Sequence, residues 1–421
     1  MKKLTLKRNY KYVLFFIFLV ILSWIFSDTR IISYNFWRYV TQLEIKKNNI
    51  ENEIAIFDEN ILHDIELNIS EEDYKNMILY YIKNDEKQYI KTNITIDGKF
   101  IENVWLKLKW SALLSYNLEE VDFNNIDFSF LVKFDKYNSE QTYLWFSEVA
   151  IISWTLEDIK WEYIASKLFN NFWILSSQSS FANVQIWNNS NQKYLLKEVI
   201  NEEFLTDRYQ DSKWLLYKSE NSMSFTYLWE DPISYADLFT QKTLINNYDL
   251  KKLIEVLQFV SNADNDEIKL NLNKYIDIEN YAKFLAINNY LYSDNKKIGL
   301  LNSYYMYFDL STQTIKFIPW DAKYIYSLEE TSMYNILRKL YSQQEITQLS
   351  KKDIRELFWT LTNTIPSDLK SKFKNDLEDN FLDKDTFKDF YEEIENEIIQ
   401  QIESQNYIEN LENNINQLLT S

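Results

Sequence analysis

The sequence predicts an α+β protein with a β-rich N-terminal lobe and a mainly helical C-terminal lobe, preceded by one N-terminal transmembrane helix. Three observations predict this class. A basic segment and an apolar block open the chain, strand-like runs dominate as far as residue 235, and helical spacing of apolar residues dominates after it. With 421 residues, 46% of them hydrophobic, the chain is long enough to bury a large core.

Residues 1–30 have the pattern of a signal anchor. The segment MKKLTLKRNYK is basic, and the block YVLFFIFLVILSWIF that follows is apolar except for Ser23. No cleavage site of small residues follows, so we expect the helix to hold the chain in the cell membrane as a single-pass protein. Because basic flanks stay on the cytoplasmic side, we expect the bulk of the chain to be extracytoplasmic.

Residues 31–59 read as a juxtamembrane linker or helix, and residues 60–235 as the β-rich lobe. In the lobe, Asp97-Gly98 separates two alternating runs, which is a strong signal for a β-hairpin. DFSFLVKFDKY reads as another strand, and FANVQIW and KYLLKEVI as two more. The segment LEDIKWEYIASKLFNNF is the exception, because its apolar residues fall at helical spacing.

Residues 236–400 read as the helical lobe, and residues 401–421 as an acidic helical tail. YDLKKLIEVLQFVSNA places its leucine, isoleucine and valine residues on one helical face, and IENYAKFLAINNYLYS continues the pattern. A hairpin, SYYMYFDLSTQTIKFIPWD, interrupts these helices, and its turn is DLSTQT. The plan is therefore a helical lobe with an embedded hairpin.

Composition excludes several classes of site. The chain has no cysteine, so disulfides, thiolate catalysis and cysteine-ligated metals are excluded. Its only histidine is His63, which excludes histidine triads and multi-histidine zinc sites and favours a structural role for that residue. A net charge of −18 is unlike the basic face that binds a phosphate backbone, so we expect no nucleic-acid partner.

Three polar residues surround the embedded hairpin. Asp294 and Asn302 precede it, and Asp321 ends its second strand in the segment IPWD. An Asp, an Asn, a hairpin and an Asp in this order match the groups that a kinase uses to accept a proton and to bind metal. The same residue types are also common turn formers, so the pattern alone leaves both interpretations open.

Four longer segments give the chain a resemblance to a known family. They occur in the order IDGKFIENVWLKLKWSAL, KFDKYNSEQTYLWFSEVAI, SSFANVQIWNNSNQKYLLKEVINEEFL and NSYYMYFDLSTQTIKFIPWDAK. Together they resemble the CotH-like kinase family, which takes its name from a spore-coat protein, over about residues 63–400. The resemblance implies a two-lobed atypical protein-kinase-like fold that uses ATP and Mg or Mn to phosphorylate Ser/Thr residues of exported or cell-surface proteins.

The resemblance also implies roles for six residues. Asp294 corresponds to the catalytic proton acceptor, and Asn302 and Asp321 to the metal ligands. ATP binding is implied for Lys109, Lys133 and Glu198, with Glu198 expected to pair with a phosphate-binding lysine.

Several positions depart from the family pattern. Lys323 replaces a second aspartate after IPWD, Leu131 and either Asp127 or Phe128 replace basic residues, and KWSAL lacks polar groups expected near the phosphates. A catalytically degenerate, pseudokinase-like surface module that binds partners or organises an envelope layer is therefore a second interpretation. The aromatic content of 17% leaves a carbohydrate-binding surface protein as a third.

The chain has an unusual balance of glycine and tryptophan. It has only two glycines and as many as thirteen tryptophans. Glycines of the family pattern are replaced here by Trp105, Trp110, Trp145, Trp173, Trp214 and Trp229. A translation that assigns UGA codons to tryptophan where the organism reads them as glycine would produce this pattern, and so would divergence in a lineage with drifting composition. The first hypothesis predicts that these positions require glycine-like backbone conformations.

The N-terminal pattern predicts where the protein is found in its native cells. The uncleaved apolar helix should keep the full-length chain in the membrane fraction after high-salt washing, since burial of the helix in the bilayer does not depend on charge. Immunoblotting of fractionated cells measures this. Recovery of the whole protein in the soluble cytoplasmic fraction would contradict the prediction.

Overall fold

Seven strands close into a barrel in the N-terminal half of the protein. The structure, a computed structural model, describes residues 55–84, 86–110, 128–153, 155–187, 191–209, 215–220, 225–244, 249–292, 301–309, 311–322, 375–382 and 385–420. The barrel strands are β1 Leu62–Asn68, β2 Ile90–Ile96, β3 Lys99–Trp110, β4 Ser129–Lys133, β5 Glu148–Ile152, β6 Ser179–Ile186 and β7 Gln192–Glu198. They follow the order β1-β2-β3-β4-β5-β7-β6, and β1 closes the barrel by pairing in parallel with β6.

Alternating side chains give the barrel its core. In β3, Val104, Leu106 and Leu108 are fully buried in the barrel's apolar cluster, whereas Lys107 and Lys109 between and after them are partly exposed on the outer face. The predicted Asp-Gly hairpin is confirmed. β2 and β3 pair around Asp97 and Gly98, whose φ angles are both positive, as the two central residues of a type I′ turn require.

The only histidine of the chain fastens this turn to β1. His63 is fully buried, and its Nδ1 lies 2.8 Å from Oδ2 of Asp97, whose other carboxylate oxygen accepts a hydrogen bond from the backbone N–H of Asp64. Burial works to raise the pKa of Asp97, but these hydrogen bonds outweigh it and lower the pKa below its usual value. The contact agrees with a structural role for His63.

Nine α-helices are described. They are α1 Glu71–Asn84, α2 Leu156–Asn171, α3 Glu202–Tyr209, α4 Lys251–Asn262, α5 Asn265–Asn271, α6 Ile278–Tyr292, α7 Asp376–Leu382, α8 Lys388–Ser404 and α9 Tyr407–Thr420. The helices predicted at 156–172 and across 249–292 are confirmed, and so is the α+β class. Helix α2 is buried on most of its circumference, because it lies between barrel strands β6 and β7 on one side and α6 and α9 on the other.

A second sheet contains the predicted hairpin. Strands β10 Leu301–Asp309 and β11 Thr314–Ala322 form it, and two strands from earlier in the chain, β8 Leu215–Ser219 and β9 Phe239–Gln241, extend it in the order β11-β10-β8-β9. The hairpin is confirmed, and its pairing with β8 adds a contact that the sequence plan did not include. Residues 56–421 form one compact unit.

The outer edge of β11 is occupied along its length. The backbone of Ile315 bonds to Tyr275 and Asp277, and the N–H of Phe317 donates to the side chain of Asn280. The next residue at this edge is Pro319, which has no N–H to offer. These groups fix β11 against the segment that leads into α6.

The predicted N-terminal anchor, residues 1–30, and most of the predicted linker lie outside the described residues. Among the helices that are described, none combines the length and the apolar character needed to cross a membrane.

Helix α2 ends in a motif that normally requires glycine. The N–H of Ile174 donates to the carbonyl of Phe169, and the N–H of Trp173 donates to that of Asn170, which together form a Schellman motif. Trp173 occupies the C′ position of this motif with φ 67°, and its side chain is 88% exposed. A left-handed backbone is the feature that the glycine hypothesis predicts for this position, and the exposed indole packs against little of the protein.

The other tryptophans differ in their surroundings. Trp187, which is not in the predicted set, also has a positive φ, of 52°, where β6 ends. Trp229 is 66% exposed, whereas Trp105 and Trp145 are partly buried and do not have a positive φ. Trp214 and the side chain of Trp110 lie outside the described part of the chain. The conformational argument for glycine therefore applies to Trp173 and Trp187.

The helix cap makes the effect of glycine at position 173 testable. Trp173→Gly should raise the free energy of unfolding by about 1 kcal/mol, because glycine adopts the left-handed conformation without the penalty of a Cβ atom and little buried area is lost. Urea denaturation of the parent and the variant measures the change. Trp173→Ala is the matched control, since it removes the indole but keeps the Cβ, and it should give no comparable gain.

The identity of the native residue can be measured directly. Peptide mass spectrometry of protein isolated from its own cells should find glycine masses at positions 110 and 173 if UGA is read as glycine there. A tryptophan mass at position 110 would leave divergence as the explanation.

Candidate active site

Asp321 occupies an unusual position at the end of the hairpin. Strand β11 is largely apolar and buried. Asp321 comes directly after Pro319 and Trp320, and only 1% of the surface of Asp321 is exposed. Its φ of 52° lies in the left-handed region, which non-glycine residues rarely adopt and which aspartate tolerates better than most. Strained backbone of this kind is found most often at functional sites.

The carboxylate of Asp321 has no hydrogen-bond donor. Both of its oxygens are buried, and neither accepts a hydrogen bond from any residue that the structure describes. A carboxylate that only capped the following turn would accept backbone N–H groups. Burying such a group without donors is costly, so the remaining stabilisation must come from nearby positive charge. The position therefore suits a carboxylate that binds a cation.

Lys109 supplies part of that charge from the barrel. It stands on the outer face of β3, and its Nζ lies 4.5 Å from the centre of the Trp320 ring, next to Asp321 in the chain. Burial lowers the pKa of Lys109 to about 7; the charge of Asp321 opposes this shift, and the charge of Lys197 adds to it. The predicted ATP-binding lysine and the predicted metal ligand thus interact electrostatically.

A buried lysine that the sequence interpretation missed lies on the other side of Trp320. The Nζ of Lys197, in β7, is 3.7 Å from the centre of the Trp320 ring and forms an ion pair with Glu162 of α2. Each side chain of the pair is only 2% exposed. The pair links a barrel strand to the central helix and holds a second lysine amine against the ring of Trp320, the residue before Asp321.

Glu198 has a different partner from the one expected. Its two carboxylate oxygens accept hydrogen bonds of 2.9 and 2.7 Å from Arg208 of α3, and one of them also accepts from the backbone N–H of Gln178. The expected pairing of Glu198 with a phosphate-binding lysine is therefore corrected. Side chains alternate along β7, so Lys197 and Glu198 lie on opposite faces of the strand. The residue of β7 that takes part in the buried lysine–glutamate pair is therefore Lys197 and not Glu198.

Lys133 lies in a row of outward-facing residues that crosses the barrel. It pairs in register with Trp105 of β3 on one side and Glu148 of β5 on the other. Its Nζ lies 3.6 Å from Asp135 and 4.0 Å from Glu148. Glu148 also acts electrostatically on Lys109, which connects this row to the surroundings of Asp321.

Of the other two predicted site residues, the structure describes only the backbone of Asn302. Asn302 lies in β10 between Leu301 and Ser303, which pair with Ala322 and Trp320, so its backbone occupies the register position opposite Asp321. Directly opposite residues of antiparallel strands have Cα atoms about 4.5–5.5 Å apart. Asp294 and the side chain of Asn302 lie outside the described residues.

The described residues place two amines against the Trp320 ring, one of them paired with Glu162, and Asp321 is the next residue in the chain. Tyr305 of β10 packs edge-on against the same ring at 5.5 Å. Within the described ranges, no three acidic or histidine side chains converge as a metal site would require. The arrangement can hold a cation at the carboxylate and an anion at the amines, which is the combination that a metal-bound phosphate presents.

One comparison with known proteins identifies a family. A family model described as CotH kinase protein matches residues 128–421. The match includes Glu162, Lys197 and Asp321, whereas Lys109 precedes it. No curated protein matches the chain.

The lowered pKa of Lys109 predicts a dependence of stability on pH. The unfolded chain binds a proton at Lys109 up to about pH 10.5, whereas the folded protein binds it only up to about pH 7. Above pH 7 the unfolded state therefore holds more protons, and the parent gains stability relative to Lys109→Met as the pH rises. Between pH 7 and pH 9 the relative gain should be roughly 1–2 kcal/mol, since one pKa unit corresponds to about 1.4 kcal/mol.

Urea denaturation at pH 7, 8 and 9 measures this difference. Lys252→Met, at an exposed lysine of α4, is the control and should show no such trend. A stability difference between Lys109→Met and the parent that stays constant with pH would contradict the lowered pKa.

Proposed function

The chain belongs to the CotH kinase protein family, and we propose that it is an atypical protein kinase that transfers a phosphoryl group from ATP to Ser/Thr residues of exported or cell-surface proteins. We propose that the barrel and the helical region with its hairpin are the two lobes of a kinase-like fold. The N-terminal sequence supports a membrane-anchored chain that faces outward, with an exported Ser/Thr-rich protein as its substrate.

The buried carboxylate of Asp321 is the observation that carries this proposal. Its two oxygens have no donors among the described residues, its charge acts on Lys109, and Lys197 contacts the ring of the preceding residue, Trp320. Mg²⁺ and Mn²⁺ prefer oxygen ligands, so a divalent cation fits this carboxylate. Such an ion, when bound, neutralises charge on the nucleotide phosphates and favours attack on the terminal phosphorus.

The chain's own residues would divide the work as follows. Asp321 would bind the metal together with Asn302, whose backbone position lies opposite it. Lys109 and Lys197 would bind phosphate oxygens, and Glu162 would keep Lys197 oriented. The sequence interpretation assigns Asp294 as the acceptor of the substrate hydroxyl proton, and we keep that assignment as part of the proposal.

The remaining predicted residues support the site from a distance. Glu198 holds Arg208 and thereby fixes α3 against the barrel. Lys133 contributes to the potential of the outer barrel face through its contacts with Asp135 and Glu148. In this proposal neither residue contacts the nucleotide, although the sequence interpretation assigned both to ATP binding.

A second candidate function is a catalytically degenerate module that binds partners. Two observations favour it: within the described ranges no three acidic or histidine side chains converge, and Glu198 is already paired with Arg208. Such a module would keep the fold but would not bind a nucleotide through a metal. Nucleotide binding therefore separates the two functions.

A thermal-shift titration of the purified full-length chain with ATP and either Mg²⁺ or Mn²⁺ tests the proposal. A ligand that binds only the folded protein raises its melting temperature. We expect such a rise for the parent, and we expect Asp321→Asn to abolish it, because the amide keeps the size of the side chain but loses the charge that binds metal. Without ligand, the variant should melt within a few degrees of the parent.

Asp231→Asn is the matched control. Asp231 caps a short 3₁₀ helix at the surface, and asparagine caps as well as aspartate. This variant should keep the full ATP-dependent rise. If Asp321→Asn binds Mg-ATP as well as the parent does, or if the parent shows no rise, the kinase assignment gives way to the partner-binding module.

A further inference from the structure

A patch of lysines and aromatic rings covers the outer face of the barrel beside the candidate active site. Lys91 of β2, Trp105 of β3 and Lys133 of β4 stand opposite one another in register. Tyr89 precedes β2, and Lys136 and Tyr137 follow β4. The chain as a whole carries a net charge of −18, so this local excess of lysine is unusual for it.

Three lysines of this face lie beyond ion-pair distance of the carboxylates that the structure describes, although Glu148 acts electrostatically on one of them, Lys107. Lys91, Lys107 and Lys136 form no ion pair with any residue that the structure describes, in contrast to Lys133. Aromatic faces hold them instead. The Nζ of Lys91 lies 4.2 Å from the ring of Tyr137, and those of Lys107 and Lys136 lie 4.4 and 3.7 Å from the ring of Tyr89.

The surroundings of Lys107 lower its pKa. Burial lowers the pKa of Lys107; Glu148 opposes the shift, and Lys136 and Lys133 add to it. An additional negative charge at the patch would relieve the repulsion among the lysines. The patch is therefore complementary to an anionic ligand.

We infer that this patch, which we call the lysine–tyrosine patch (Tyr89, Lys91, Lys107, Lys136 and Tyr137), docks an acidic segment of the protein that the kinase phosphorylates. The inference rests on the proposed function, because it names the chemical class of the acceptor for that site. The segment would carry Asp or Glu residues near the Ser or Thr that receives the phosphoryl group.

The position of the patch along β3 sets the distance between the acidic residues of the substrate and its acceptor hydroxyl. Trp105, Lys107 and Lys109 alternate with buried residues and share the outer face. Successive residues on one face are about 6.8 Å apart, so the patch begins about 7 Å from Lys109 and reaches Trp105 at about 14 Å. An extended peptide covers about 3.3 Å per residue, which places the acidic residues two to four positions from the acceptor hydroxyl.

The aromatic faces argue against a nucleotide at the patch. Lys107 and Lys136 lie over the ring of Tyr89, and Lys91 and Trp105 contact that of Tyr137 at 4.2 and 4.9 Å, so a base would have to displace them before it could stack. The net charge of the protein argues against a lipid bilayer as the ligand of the patch. An anionic membrane would be repelled by the whole acidic surface of the protein, whereas a short peptide contacts only the patch.

The patch does not depend on the residue at position 105. The three lysine–tyrosine contacts connect Lys91, Lys107 and Lys136 to Tyr89 and Tyr137 without Trp105. Glycine at position 105 in the native chain would remove the ring between the two tyrosines and leave the charges in place.

Fluorescence anisotropy with the full-length protein and no nucleotide tests the inference. The probe is a labelled peptide with one serine followed by four glutamates, and the reference is the same peptide with four glutamines. We expect the glutamate peptide to bind at least tenfold more tightly at low salt and to lose that advantage in high salt. The double substitution Lys91→Glu and Lys136→Glu should weaken its binding at least tenfold.

The control is Lys251→Glu with Lys252→Glu, at two exposed lysines of α4, which changes the net charge by the same amount. This variant should bind the glutamate peptide within about twofold of the parent. Equal weakening in both variants, or equal binding of the two peptides, would overturn the inference. Vesicles with 30% anionic lipid form a further arm, and binding of vesicles but not of peptide through Lys91 and Lys136 would overturn it in favour of a membrane surface.

The peptide-binding test and the ATP thermal-shift test can fail independently of each other. Peptide binding without an ATP-dependent thermal shift would leave an acidic-peptide docking site on a partner-binding module. An ATP-dependent shift that Asp321→Asn abolishes, without preference for the acidic peptide, would leave a kinase whose acceptor binds elsewhere.

Discussion

The burial of helix α2 is the constraint on which the arrangement of the site depends. The helix lies between the barrel and the C-terminal helices, so its side chains contact both, and it must bury polar groups as well as apolar ones. Glu162 is one of these groups, and the ion pair with Lys197 makes its burial tolerable. Removing one member of a buried pair typically costs about 3–5 kcal/mol, because the other charge is left without compensation. The position of Lys197 beside Trp320 is thus fixed by the same contact that attaches the helix to the barrel.

The candidate site combines groups that are individually unfavourable. Asp321 is strained and accepts no hydrogen bond from the described residues, and Lys109 has a lowered pKa. The charge of Asp321 favours the protonated form of Lys109, and the hairpin and the barrel hold both residues in place. In the proposed kinase, a metal at Asp321 and a phosphate at Lys109 would each compensate one of these groups.

The local elements were predictable from the sequence, and their long-range pairing was not. Asp97-Gly98 specifies its turn through backbone conformation, and the two apolar runs on either side of DLSTQT specify a hairpin, because these signals act between near neighbours. The pairing of β1 with β6 and of β8 with β10 joins segments far apart in the chain, and no local pattern encodes it. Asp321 was found because it ends a strand. Lys197 was missed because alternation shows that Lys197 and Glu198 face opposite ways but does not show which of them meets α2. The glycine hypothesis named Trp173 among its turn or close-approach sites, and that residue is left-handed, whereas Trp105, Trp145 and Trp229 from the same set do not have a positive φ.

The blocked edge of β11 limits how another chain can approach the hairpin. Several peptide-binding domains capture a partner by adding it as an extra strand to an open sheet edge. Here the backbone groups of Ile315 and Phe317 are already bonded, and Pro319 has no donor, so a partner strand would find no ladder to extend. The opposite edge is the three-residue strand β9, which is too short to template one. Recognition at this sheet must therefore rely on side chains, and the same property protects the hairpin against edge-to-edge aggregation.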